Sequence, residues 1–239
     1  MYFHRDTDGP VDLAFTDRYG GVSGVPFDEL NLAIDGDDPE PDRAENLRLL
    51  LGDFAPGDEL ADLRQVHGCD VVSVGGERVE RAEADGLVTA RVGVVLMVRA
   101  ADCVPVLLAD AAAGVVGAAH AGRPGVAAGV VPATVARMRD LGARQITAWV
   151  GPHVCGACYE VPADLQADVG AVEPSSVATT SWGTPSLDLG AGVRAQLERA
   201  GVRVVDVARC TRESTDLYSY RRDGRSAGRH AGLIRRRAS

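Results

Sequence analysis

At 239 residues, with 46% hydrophobic and 25% charged side chains, the chain can bury a sizeable core, which excludes a small disulfide-stapled scaffold. A formal charge of -9 argues against a protein that coats nucleic acid or anionic lipid, and the longest apolar run, Val92 to Leu108, is broken by Arg99, Asp102 and Pro105, short of the roughly 18 residues a membrane span needs. All 25 basic residues are arginines, so Schiff-base, P-loop and kinase lysines are excluded together.

Met1 is followed by His4, Arg5, Asp6 and Asp8 where an apolar leader would begin, so a cytoplasmic location is expected. Val11 to Thr16 reads as a strand running into the glycine turn Tyr19-Gly20-Gly21. Pro39 to Leu51 reads as a helix capped by Asp38, with Leu47, Leu50 and Leu51 on its apolar face and Gly52 as its stop. Leu63 to Val66 and Val71 to Val74 read as short strands around the turn His67-Gly68-Cys69-Asp70. Gly93 to Val98, Val104 to Leu108 and Val115 to Ala119 are β-branched or apolar runs expected to be buried strands. An alanine-rich helix is expected from Gly125 to about Leu141-Gly142, interrupted at Pro132. Ile146 to Val150 returns as a strand; Pro162 to Val169 and Leu187 to Ala200 read as helices, and Val202 to Val207 and Leu217 to Tyr220 as strands. This alternation predicts an α/β protein, and without a repeat or linker it is read as one domain over residues 1–239.

Histidine is scarce, with five in the chain. His67 lies in Gln65-Val66-His67-Gly68, Cys103 in Ala101-Asp102-Cys103-Val104-Pro105 and His120 in Ala119-His120-Ala121-Gly122, each where an apolar strand meets a turn. Strand ends deliver side chains to a cleft, and two imidazoles with a thiolate form a zinc-type ligand set that leaves a fourth position open. The same trio also reads without metal, as a Cys103 nucleophile with His120 or His67 as base and Asp102 or Asp85 as orienter. Spacing leaves both readings open.

Five cysteines in a chain without an export signal argue for thiols or ligands rather than a disulfide framework. Cys155-Gly156-Ala157-Cys158 has the spacing of a zinc knuckle, but Cys210 is the one further thiol downstream, so ordinary buried cysteines are the expected reading. The His-x-Glu that a nucleobase deaminase needs is missing, since His120 is followed by Ala121-Gly122. From Gly201 onward ten arginines face four acids, which makes the C-terminal part a candidate anion site.

Thr16-Asp17-Arg18-Tyr19-Gly20-Gly21-Val22-Ser23, Leu30-Asn31-Leu32, Gln65-Val66-His67-Gly68, Ala84-Asp85-Gly86, Ala101-Asp102-Cys103-Val104-Pro105, His120-Ala121-Gly122, Gly151-Pro152, Cys158-Tyr159-Glu160-Val161, Cys210-Thr211, Tyr218-Ser219-Tyr220-Arg221-Arg222 and Gly228-Arg229 follow one another in a set order. That order resembles the YfiH-like family, labelled variously laccase-domain, polyphenol oxidase or purine nucleoside phosphorylase. The resemblance implies a layered α/β sandwich with mixed sheets, related to cysteine-dependent deamidase toxins. It implies Zn2+ on His67, Cys103 and His120, phosphorolysis of adenosine, inosine, guanosine and methylthioadenosine, and in some members hydrolytic deamination of adenosine.

The partners implied are a purine nucleoside and phosphate, without nucleic acid or membrane, in a monomer or homodimer. Arg18, Arg123, Arg221 and Arg229, all in motif positions, are the candidate phosphate ligands, and Asp85 and Asp102 the candidates for orienting a histidine or moving a proton. One motif departs from the family: His120-Ala121-Gly122-Arg123-Pro124-Gly125 stands where His-Ala-Gly-Trp-Arg-Gly is usual, which shifts the guanidinium by one position and removes an indole. Rival readings are a cysteine-nucleophile amidase or deamidase acting on a cell-wall precursor, a non-catalytic binding protein, and a copper polyphenol oxidase. The last needs about ten histidine and cysteine ligands for its copper sites, whereas this chain has five histidines, two of them outside any motif.

Overall fold

A computed structural model describes residues 1–76 and 81–237. In chain order the elements are β1 (Tyr2–Asp8), β2 (Val11–Thr16), α1 (Glu40–Phe54), β3 (Glu59–Ala61), β4 (Val71–Ser73), β5 (Gly86–Thr89), β6 (Val94–Ala100), β7 (Val104–Asp110) and β8 (Val115–Ala121). There follow α2 (Arg123–Ala128), α3 (Val130–Asp140), β9 (Thr147–Val150), α4 (Ala163–Val172), β10 (Val177–Thr179), β11 (Pro185–Leu187), α5 (Leu189–Arg199), β12 (Arg203–Asp206), α6 (Tyr220–Asp223) and β13 (His230–Arg236).

Two mixed sheets lie face to face. One has the order β1-β2-β13-β6-β3, the other β12-β9-β7-β8-β5-β4, while β10 and β11 form a separate hairpin. Most pairs are antiparallel; β3 with β6, β4 with β5 and β12 with β9 are parallel. Side-chain alternation divides each central strand between two cores. Val94, Leu96 and Val98 of β6 meet Leu107 and Ala109 of β7 between the sheets. Val95 and Met97 of β6 turn the other way, onto Leu50 and Phe54 of α1. Val104, Val106 and Leu108 of β7 pack outward against Val126, Val135, Met138 and Val193 of α2, α3 and α5. The result is four layers, helix, sheet, sheet and helices. Covered on both faces, β6, β7 and β8 are buried at every position, which is why they read as continuous apolar runs.

Several expectations are corrected. Leu63 to Val66 is not a strand; the strand before His67 is β3, and Arg64 makes a single bridge to Glu83. Helix α1 runs past Gly52 to Phe54, because the Phe54 ring inserts into the core under the five-stranded sheet. Asp38 does not cap it: that carboxylate is buried and accepts from Ser23 Oγ and Asn31 Nδ2. The alanine-rich segment breaks at Gly129, whose φ of 84° ends α2 in a left-handed cap, while Pro132 fits inside the first turn of α3. Leu217 to Tyr220 is not a strand, since Leu217 and Tyr218 are buried in a loop and Tyr220 opens α6.

The register sets the site. Val104 of β7 faces Ala121 of β8, and Gly86 of β5 faces Ala119. Cys103, His120 and Asp85 therefore emerge together at one end of the six-stranded sheet, and parallel pairing of Val71 with Gly86 brings the His67 turn, just before β4, to the same end.

Candidate metal centre and its cavity

One donor atom each from His67, Cys103 and His120 lies within 4.8 Å of the other two. Nε2 of His67 is 3.8 Å from Sγ of Cys103, and the two imidazoles meet edge to face with centroids 4.9 Å apart. Zinc–sulfur and zinc–nitrogen bonds of about 2.3 and 2.0 Å at a tetrahedral angle put the donors about 3.5 Å apart, so the trio fits zinc with a small adjustment.

Asp85 organises this group. Its carboxylate is fully buried and sits in a nest of three successive backbone amides, those of Val66, His67 and Gly68, which donate at 3.1, 3.0 and 2.6 Å. The nest needs His67 at a φ of 61°, a left-handed conformation that a non-glycine residue adopts only where its surroundings hold it. Oδ1 of Asp85 also lies 2.8 Å from Nδ1 of His120, leaving Nε2 of that ring for a metal, and the backbone carbonyl of Asp85 accepts from the His120 amide. One carboxylate thus places two of the three donors.

Electrostatics agree with the geometry. Burial alone would push the Cys103 thiol up, but the His120 and His67 imidazoles outweigh it and bring the thiol down to about 6. Burial would likewise depress His120; the Cys103 thiolate and the Asp85 carboxylate instead raise it to about 9. For Asp85, burial is outweighed by His120 and the amides of Gly68 and His67, which hold it below the usual carboxylate range. Gly122 is required for room, since a Cβ there would lie 2.6 Å from Cδ2 of His67 and 3.2 Å from Sγ of Cys103.

The trio lies in the wall of a cavity of about 900 Å³, open to solvent. Arg221 and Arg229, predicted from their motifs, line it, as does Arg225 of the arginine-rich C-terminal part, and so do Arg64 and Arg99, which the sequence reading missed. Arg99 is committed to Asp62 and to the Leu32 carbonyl. Arg229 donates to the carbonyls of Ala227 and Gly228, and Arg221 stacks on the Tyr159 ring at 4.5 Å. Among the described residues, Arg64, Arg221, Arg225 and Arg229 form no ion pair.

Two predicted arginines are elsewhere. Arg18 bonds the carbonyl of Asp28, pairs with its carboxylate and lies over the Tyr218 ring, so it builds the loop rather than the cavity. Arg123 is the first residue of α2 and, like Pro124 beside it, does not line the cavity. Asp102, also at a positive φ (84°), touches neither histidine: it accepts from Thr211 Oγ1 and the Arg221 amide, both at 2.6 Å, and is a tether for the arginine-bearing segment. Arg222 is spent on the carbonyls of Thr211, Ser214 and Leu217.

A second cluster brings Cys210 to the Cys155–Cys158 pair, which the sequence reading held to be ordinary buried cysteines, and adds Glu213, which it did not consider. Burial, with crowding by Cys210 and Cys158, pushes the Cys155 thiol up to about 12.

The family model described as multi-copper polyphenol oxidoreductase laccase matches residues 12–237. A Streptomyces coelicolor relative named a purine nucleoside phosphorylase is 51% identical over 98% of this chain and 99% of its own length. The Escherichia coli protein named purine nucleoside phosphorylase YfiH is 36% identical over 91% of this chain and 90% of its own. A solved Neisseria meningitidis structure superposes with a TM-score of 0.87, covering 99% of both chains at 31% identity. The chain belongs to this YfiH-like family, whose model carries the laccase description.

Proposed function

We propose that the chain is a zinc-dependent purine nucleoside phosphorylase of the cytoplasm. One observation carries the reading: a two-imidazole, one-thiolate group of zinc dimensions stands in the wall of a cavity of about 900 Å³, with room for a nucleoside and phosphate, whose lining also holds arginines without an ion pair among the described residues. Relatives that match almost the whole chain are named purine nucleoside phosphorylases, which supports the reaction class. A free thiol ligand among five unpaired cysteines suits a reducing compartment.

Phosphorolysis breaks the bond from the ribose anomeric carbon to the base nitrogen and forms one from that carbon to a phosphate oxygen. The bonding pair leaves with the base, which takes up a proton. A guanidinium fork matches phosphate geometry, so Arg221 and Arg229, with Arg64 and Arg225 at the rim, are assigned to bind and orient phosphate. Tyr220, half-exposed in the cavity lining, offers an aromatic face for the purine. Asp85 keeps the His120 Nδ1 proton in place, fixing that ring's tautomer. Zinc held by His67, Cys103 and His120 would supply Lewis acidity, softened by the thiolate.

Copper polyphenol oxidation does not suit these residues. Among the described residues the histidine-containing group has two imidazoles; His153 is buried with Nδ1 on the Gly151 carbonyl, and His230 is buried in β13. A thiol-nucleophile amidase has one observation in its favour, the line Cys103, His120, Asp85. Incubation with a panel of purine nucleosides, with and without phosphate, before and after complete zinc removal, separates the two. The phosphorylase reading requires phosphate-dependent release of base that stops without zinc; turnover persisting in metal-free protein would transfer the site to thiol chemistry. Deamination of adenosine is scored in the same chromatograms.

A further inference from the structure

The cluster of Cys155, Cys158, Cys210 and Glu213 is separate from the group just described and is given no role in the reaction proposed above. Its four donor atoms all fall within 4.8 Å of one another. Two chain segments some fifty residues apart build it. In the first, the amides of Cys158 and Tyr159 both donate to the Cys155 carbonyl, a tight turn that puts the two thiols of the CxxC on one side. Gly156 is needed in that turn, because a Cβ would stand 2.9 Å from Cβ of Asp188. In the second, Cys210 is bridged to His153: the His153 amide donates to Arg209 and the Thr211 amide to His153. The turn after Thr211 then brings Glu213 back to the thiols.

We propose that these four residues bind a structural zinc ion, distinct from the one assigned to His67, Cys103 and His120. Three thiolates and a carboxylate make a closed four-donor set, and soft sulfur ligands select zinc over magnesium or calcium. A redox pair would use two sulfurs and leave a third thiol and a carboxylate converging on them without purpose. Cys158 is buried, Cys155 and Cys210 are half-buried and Glu213 is exposed, so the three thiols sit at the edge of the fold with the carboxylate on their solvent side.

The ion would hold two walls of the cavity together. Val154, one residue before Cys155, donates its amide to the Asp102 carbonyl; Thr211, one after Cys210, donates its hydroxyl to the Asp102 carboxylate, whose other oxygen holds the Arg221 amide. Tyr159, next to Cys158, carries the Arg221 guanidinium. A clamp at the thiols therefore fixes Tyr159 and Arg221 relative to Cys103.

The test counts metal and maps thiols on the full chain. Zinc-loaded wild type is expected to hold two zinc ions by native mass spectrometry, with Cys155, Cys158 and Cys210 shielded from alkylation until a chelator is added and Cys69 unaffected. The Cys103→Ala variant is expected to keep one ion and, with cobalt(II) in place of zinc, to show strong thiolate-to-cobalt absorption that Cys155→Ser/Cys210→Ser in the same background abolishes. Should the three cysteines alkylate at the same rate with and without zinc, or be found joined by a disulfide in the reduced-buffer preparation, the proposal is overturned. If Cys103→Ala does not fold, the alkylation map of wild type decides alone.

Discussion

Asp85 and His120 are joined twice, once through Oδ1 and Nδ1 at 2.8 Å and once through backbone carbonyl and amide at 2.8 Å, so that strand pairing and side-chain orientation are set by the same residue. The remaining capacity of that carboxylate goes to the turn that carries His67. A buried carboxylate in this position costs desolvation, which four donors offset.

Asp85→Asn keeps the volume but presents an amide hydrogen pair to a nest of N–H donors. Zinc affinity, measured by competition with a chromogenic chelator, should fall about 10- to 100-fold, the usual cost of losing a partner behind a metal-binding histidine.

Gly122→Ala is predicted to separate metal binding from folding. Its Cβ meets the His67 ring and the Cys103 sulfur, two of the three donors, and no core side chain. Zinc should be lost while the melting temperature of the metal-free protein drops by a few degrees at most.

Metal-free protein should show a distinct pH profile. The Cys103 thiol is lowered, so its contribution to stability fades as pH falls through about 6; His120 is raised, so its contribution fades as pH rises through about 9. Between about pH 6.5 and 9 the two contributions change in opposite senses and largely cancel, so stability of the metal-free form should be nearly flat across that window. Iodoacetamide labelling of Cys103 should rise through about pH 6, where an ordinary thiol would wait until about 8.5.

Arg221→Met and Arg229→Met should each raise the KM for phosphate about 10- to 100-fold, the equivalent of one charge-assisted hydrogen bond of about 1.5–3 kcal/mol. Arg18→Met makes the contrast: it loses the Asp28 contacts and the Tyr218 stack, so melting temperature should fall while the phosphate KM stays put.

The trio His67, Cys103 and His120 could be singled out in the sequence because each lies beside an apolar run, although the run before His67 is not a strand and His120 sits inside β8, and spacing left metal and thiol readings open; β6, β7 and β8 announce themselves by burial on both faces. Other parts were hidden for physical reasons. Strand β1 is an edge strand whose residues His4 to Asp8 are polar in succession, so it shows no alternation, and β13 ends in arginines although its body lies between β2 and β6. Arg64 and Arg99 reach the cavity by tertiary placement that local spacing does not record. Cys210 joins the CxxC turn through its bridge with His153, a long-range pairing invisible in a count of ligand pairs.

The most direct test of the central claim is phosphorus NMR of the zinc-loaded enzyme with inosine and inorganic phosphate, run beside Cys103→Ala. The wild type should convert the phosphate signal to ribose 1-phosphate with matching release of hypoxanthine, and Cys103→Ala should not. An unchanged phosphate spectrum in the wild type, or equal conversion by the variant, would contradict it.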